Sequence, residues 1–133
     1  MTIVDSSVWI EYFTDSRAAA SDALERQMSM GKSVGTLPVI LTEVLMGFRS
    51  DSQFNTARNL LLSVPMIHPD DEIYVGAARL FRALRRRGVT VRGAIDCLIA
   101  QTCIVHGADL FTLDRDFEKI ARYTPLMLAS VSD

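Results

Sequence analysis

The chain has 133 residues, of which 49% are apolar and 23% charged, and its formal net charge is −2. That size suits one domain spanning residues 1–133, with enough apolar material for a core that needs neither disulfides nor a structural metal. The balance excludes a disordered tail, and the mild acidity excludes a protein that holds nucleic acid by counterion release alone.

Ile3-Val4 is a short β-branched run stopping at Asp5-Ser6-Ser7, which predicts a buried strand feeding directly into a helix, since Asp and Ser are favoured caps. Val8, Trp9, Ile10, Tyr12 and Phe13 supply that helix with its apolar face. A second helix is expected from about Ser16 to Met30, with Ala20, Leu24 and Met28 on one stripe. Val34 to Leu37 is a strand candidate, and Pro38 suits the first position of a helix over Val39 to Phe48. Ser50-Asp51-Ser52 caps a helix from about Gln53 to Leu62. Val64 to His68 is a further strand candidate, and Pro69-Asp70-Asp71 opens a helix from Glu72 to Arg87 that Gly88 ends. Gly93 precedes a helix over Ala94 to Val105, closed by His106-Gly107. Leu110 to Thr112, a short helix from Asp114 to Tyr123, and a strand at Leu126 to Leu128 complete the series. Helices alternating with short, fully apolar strands predict an α/β protein. Its three α/β/α layers would enclose a central, mainly parallel sheet of four to five short strands.

Nothing at Met1-Thr2-Ile3-Val4-Asp5 resembles a basic and apolar leader, and no run approaches the ~18 apolar residues of a membrane span, so a cytoplasmic protein is expected. Cys97 and Cys103 read as small buried hydrophobes in a reducing compartment; neither they nor His68 and His106 have zinc-ligand spacing. Met28, Met30 and Met46 read as gap-fillers in the core.

The chemistry lies in four acids. Asp5 ends the first strand and Asp114 follows the fourth, so both should project at the carboxyl edge of the sheet, where open α/β proteins bind ligands. Glu43 in Val39–Met46 and Asp96 in Ala94–Ala100 are lone carboxylates among apolar neighbours, expensive to bury unpaired. Asp96 also falls in a first helical turn, where the dipole favours its charge. Each acid alone has a plain alternative: Asp5 and Asp114 as caps, Glu43 paired with Arg49, Asp96 paired with Arg92. Taken jointly they form one acidic pocket. Two carboxylates 4 Å apart repel by about 4 kcal/mol at an effective dielectric of 20. Such a pocket calls for a cation, and all-oxygen ligation suits Mg²⁺ or Mn²⁺. A metal-activated water attacking a phosphodiester is the chemistry that fits.

Four stretches carry a resemblance: Ile3-Val4-Asp5-Ser6-Ser7-Val8-Trp9-Ile10-Glu11, Leu41-Thr42-Glu43-Val44-Leu45-Met46-Gly47, Ile95-Asp96-Cys97-Leu98-Ile99-Ala100, and Leu110-Phe111-Thr112-Leu113-Asp114-Arg115-Asp116-Phe117. In order, spacing and length the chain resembles PIN-domain proteins, and more narrowly the VapC toxins of VapBC modules. The resemblance implies a PIN-like fold with Asp5, Glu43, Asp96 and Asp114 as the catalytic, metal-binding acids and Asp116 as an auxiliary one. Ser6 or Thr112 would orient a carboxylate. It also implies Mg²⁺ or Mn²⁺, endonucleolytic cleavage of RNA that inhibits translation, and a homodimer. A VapB-like antitoxin would block the site, and promoter DNA would bind only through the toxin–antitoxin complex.

Arginines crowd residues 79–92; Arg82, Arg86 and Arg92 are candidates for guiding RNA, against the plainer reading of a solvated helix face. Trp9, Tyr12 and Phe13 fit core or dimer packing better than base stacking. Two other function classes compete. A phosphoacceptor phosphatase would want Asp-x-Asp where the chain has Asp5-Ser6-Ser7, and a receiver domain would want a lysine after a late strand, whereas Lys119 falls in a predicted helix. A non-catalytic module would use the same acids to dock an antitoxin or nucleic acid.

Overall fold

The computed structural model describes residues 1–130. Four strands, β1 (Thr2–Val4), β2 (Val34–Gly35), β3 (Asp109–Phe111) and β4 (Met127–Leu128), form one sheet in the order β2-β1-β3-β4. Every pairing is parallel: Thr2 lies opposite Val34 on one side and Asp109 on the other, and Leu110 lies opposite Leu128. A parallel sheet must be covered on both faces. Accordingly Ile3, Val4, Leu110 and Phe111 are all fully buried.

The run Val64 to His68, expected as a strand, contributes one parallel bridge from Met66 to Thr36 at the β2 edge. The Thr36 N–H donates to the Pro65 carbonyl and the Ile67 N–H to the Thr36 carbonyl, both at 2.9 Å. Pro65 has no N–H to offer, so the ladder stops there. The sheet therefore has the smaller of the two expected strand counts.

Seven helices surround it among the described residues: α1 (Ser6–Thr14), α2 (Ala19–Ser29), α3 (Pro38–Leu45), α4 (Asp51–Ser63), α5 (Asp71–Arg86), α6 (Ala94–His106) and α7 (Asp116–Arg122). The cap residues act as the sequence suggests at α4, where Ser50 accepts from the Gln53 N–H at 3.3 Å, and at α5, where Asp70 accepts from the Ile73 N–H at 3.0 Å. Helix α2 starts later than expected because a side-chain turn occupies its approach: Asp15 accepts from the Arg17 N–H at 3.1 Å, and the Ser21 hydroxyl donates to the Asp15 carbonyl at 2.6 Å. Gly107, at φ +63°, ends α6 in the left-handed conformation.

Right-handed crossovers decide the layers. Moving from β1 to β2 places α1 and α2 on one face, and the opposite progression from β3 to β4 places α7 on the other, where it packs on α6. Trp9 is fully buried, stacked on Phe13 and edge-on to Tyr12 with ring centroids 6.0 Å apart in both cases. The aromatic cluster is core. Met30 and Met46 are not: they occupy the C-cap positions of α2 and α3 and are 71% and 77% exposed, so the gap-filling role holds only for half-buried Met28. Cys97 and Cys103 are buried, as expected. Among the described residues no helix is long and apolar enough to cross a membrane.

Candidate active site

Strands β1 and β3 are neighbours whose following chains leave to opposite faces, so a crevice opens between their carboxyl ends. Asp5 and Asp114 stand there. Asp5 holds the N-cap position of α1, yet its side chain makes no cap bond. The carboxylate is 4% exposed, and its Oδ2 accepts from the Ser7 hydroxyl at 2.7 Å and the Thr112 hydroxyl at 2.8 Å. Those hydroxyls accept in turn from backbone: Ser7 Oγ from the Leu113 N–H at 2.9 Å, and Thr112 Oγ1 from the Asp114 N–H at 3.0 Å. The chain after β3 is thereby pinned to the carboxylate after β1, and Oδ1 of Asp5 is the oxygen left for another ligand. Thr112 is one of the two residues offered by the sequence for orienting a carboxylate, and its hydroxyl donates to Asp5. Ser7 was missed; its signal was its position two residues beyond a strand-end Asp. Ser6 lines the same cavity as Glu43 and favours its ionised form.

Glu43 comes from α3 and Asp96 from the first turn of α6. Glu43 Oε1 and Asp96 Oδ2 are both buried with no hydrogen-bond partner among the described residues. Burial raises the Glu43 pKa and the charge of Asp5 raises it further, against the Ser6 hydrogen bond. Asp96 is pushed up to about 6 by burial, then by Asp114 and Asp5, with Arg92 opposing. The expected help from the helix dipole is outweighed by desolvation and like charge. A cavity of about 510 Å³ is lined by Asp5, Glu43, Asp96 and Asp114 together, with Ser6, Ser7 and Arg92 beside them and Ile10 and Ile95 in its wall.

The tightest clustering involves a different subset: one oxygen each from Asp96, Asp114 and Asp116 lies within 4.8 Å of the others. Asp5 and Glu43 line the cavity outside that spacing, whereas Asp116 is not among the residues that line it. Asp114 partly fulfils the capping alternative, because its Oδ1 accepts from the Asp116 N–H at 3.0 Å. Arg92 bridges Asp114 and Asp116 at 2.7 and 3.2 Å, and Lys119 reaches Asp116 at 3.4 Å. Among the described residues no ion pair joins Glu43 to Arg49 or Asp96 to Arg92.

The arginine candidates separate. Arg92 is in the acidic cavity. Arg82 and Arg85 border an adjoining apolar groove of about 430 Å³, floored by Phe81 and Leu98, which shares Gly93, Ala94 and Ile95 with the acidic cavity. Arg85 lies over the Phe81 ring at 5.6 Å. Arg86 is exposed in the last turn of α5, where its charge suits the helix dipole.

Residues 2–123 match the PIN domain family. The chain belongs to that family. This PIN domain is 38% identical to the VapC ribonuclease Mb1587 of Mycobacterium bovis and to ribonuclease VapC11 of Mycobacterium tuberculosis, in each case over 98% of both chains. Its fold is shared with VapBC2 of Rickettsia felis bound to a promoter DNA fragment, at TM-score 0.78, 17% identity and 96% of both chains. VapBC-1 of nontypeable Haemophilus influenzae superposes at TM-score 0.76 and 18% identity, over 99% of this chain and 98% of the other. The three-layer α/β/α arrangement is that of a PIN fold.

The residues present fit a hard divalent cation. Their donors are all carboxylate oxygens. Two of those oxygens, on Glu43 and Asp96, are buried without partners, a state that costs free energy until a ligand satisfies them.

Proposed function

We propose that this PIN domain is a divalent-metal-dependent endoribonuclease, the toxin of a toxin–antitoxin pair, hydrolysing RNA phosphodiester bonds and so inhibiting translation. The observation that carries the proposal is the gathering of Asp5, Glu43, Asp96 and Asp114 around one cavity at the sheet edge, with buried oxygens on Glu43 and Asp96 left unsatisfied. In this reading those four acids hold Mg²⁺ or Mn²⁺, with Asp116 in support. When bound, such an ion supplies a water of lowered pKa and draws charge off a phosphoryl group.

The chain's own residues have distinct parts. Ser7 and Thr112 fix the rotamer of Asp5 by donating to Oδ2. Glu43, whose pKa is raised by burial and by the charge of Asp5, would offer its buried Oε1 to the ion. Arg82 and Arg92 would lie along the RNA backbone, and Arg86 is a weaker candidate in its exposed last-turn position. The relatives named as ribonucleases support the reaction class. The VapBC neighbours, two of them in DNA complexes, support a VapB-like antitoxin as partner, with promoter DNA engaged through the joint complex. A homodimer, a cytoplasmic location and one domain over the full chain complete the reading.

The test is RNA cleavage by the purified protein with Mn²⁺, with excess EDTA, and with Mn²⁺ added back. Cleavage should vanish in EDTA and return with the metal. Asp5→Asn and Asp96→Asn should be inactive with unchanged circular dichroism. Cleavage that persists in EDTA removes the metal mechanism. A wild-type protein inert under all conditions leaves the binding-module alternative.

A further inference from the structure

The loop between α5 and α6 already lays a positive charge on the acids. The Arg92 side chain is 75% exposed, yet its guanidinium donates to Asp114 Oδ2 through Nη2 at 2.7 Å and to Asp116 Oδ2 through Nε at 3.2 Å. The other oxygen of Asp114 accepts the Asp116 N–H, so both of its oxygens are engaged. Asp114 and Asp116 are two of the three acids whose oxygens converge within 4.8 Å, and the third, Asp96, has a buried Oδ2 without a hydrogen-bond partner among the described residues. Gly93 follows Arg92 at φ +151°, backbone that residues with side chains rarely adopt, and it turns the chain from Arg92 into the first turn of α6. The backbone position of Arg92 is thus set by the turn, while its long, exposed side chain is free to relocate.

We propose that Arg92 is a built-in counter-ion that competes with the divalent cation for Asp114 and, once displaced, moves to a phosphate of the substrate. This rests on reading the acids as the metal site. A divalent ion held by Asp114 would sit beside a guanidinium bonded to the same carboxylate, so the two positive charges would repel one another. The Arg92 side of the pair is exposed to solvent, which screens its hold on Asp114 and makes Arg92 a displaceable occupant. A guanidinium driven off two carboxylates needs another anion, and phosphate matches its forked donors. Metal and RNA therefore reinforce each other's binding, because each favours the same position of Arg92.

Removing a positive charge bonded to Asp114 should raise the affinity of the acids for a cation, which gives the test its direction. Mn²⁺ is titrated into full-length wild type, Arg92→Gln and Asp96→Asn without RNA, with free Mn²⁺ followed by electron paramagnetic resonance. Arg92→Gln is expected to bind Mn²⁺ tighter by about fivefold at low ionic strength, the gap narrowing with salt. Equal or weaker binding by Arg92→Gln, with binding intact in wild type and lost in Asp96→Asn, overturns the counter-ion role and leaves the nuclease reading standing. A wild type that takes up no Mn²⁺ overturns both.

Discussion

Replacing Asp96 with asparagine should make the metal-free protein more stable, not less. One oxygen of its carboxylate lies within 4.8 Å of oxygens on Asp114 and Asp116, and its Oδ2 is buried with no hydrogen-bond partner among the described residues. At 4.8 Å and an effective dielectric of 20, one such repulsion is about 3.5 kcal/mol. Asp96 is only half-buried and Arg92 offsets part of the repulsion, so the net penalty is nearer ~1 kcal/mol. For a chain of this size that corresponds to about 4 °C in Tm. The pH dependence fixes the cause. Asp96 titrates at about 6 in the folded protein against an ordinary 3.8. Between those values the folded state binds more protons than the unfolded state, so stability falls as pH rises through the window, and the full penalty stands above pH 6. Thermal melts in EDTA should place Asp96→Asn above wild type at pH 7.5, with most of the gap gone at pH 4.5. Mn²⁺ should raise the wild type alone. An Asp96→Asn protein melting at or below wild type at pH 7.5, or a gap indifferent to pH, would refute the reasoning.

Three further outcomes follow from other parts of the molecule. Thr112→Val removes one of the two hydroxyls holding Asp5 and should lower metal-dependent RNA cleavage by about 10- to 100-fold, with the circular dichroism spectrum unchanged. Leu110→Ala empties a fully buried position in a central strand and should cost about 2–5 kcal/mol in urea denaturation. Burial pushes Cys97 up to about 11 and Cys103 to about 12, so neither should react with a thiol reagent at pH 8 until the protein is unfolded; rapid native labelling of either would contradict the packing of α6.

What could be read from the residues was whatever depended on local pattern. Short β-branched runs bounded by caps marked β1 and β3, and the carboxyl ends of those strands located Asp5 and Asp114. Isolated acids in apolar helices marked Glu43 and Asp96, because a lone carboxylate there conflicts with its surroundings unless function requires it. Side-chain pairing across the fold was less legible. Ser7 reaches Thr112 only because β1 lies beside β3, an adjacency that sequence order conceals. Arg92 was near enough to Asp96 in the chain to be assigned to it, but the turn at Gly93 delivers the guanidinium to Asp114 and Asp116 instead. The edge run at Val64 to His68 has the apolar character of a strand, and one missing N–H at Pro65 reduces it to a bridge. Met30 and Met46 look like core by composition and are exposed because they cap helices.

The central claim is that carboxylates from four separate stretches of the chain share a divalent ion, and a Mn²⁺-soaked crystal with data collected for anomalous scattering tests it most directly. The account predicts a strong peak in the cavity, about 2.1–2.3 Å from oxygens of at least Asp5, Asp96 and Asp114, with Arg92 withdrawn from Asp114. A saturating soak that leaves that space without a peak, or places the ion on surface acids elsewhere, would contradict it.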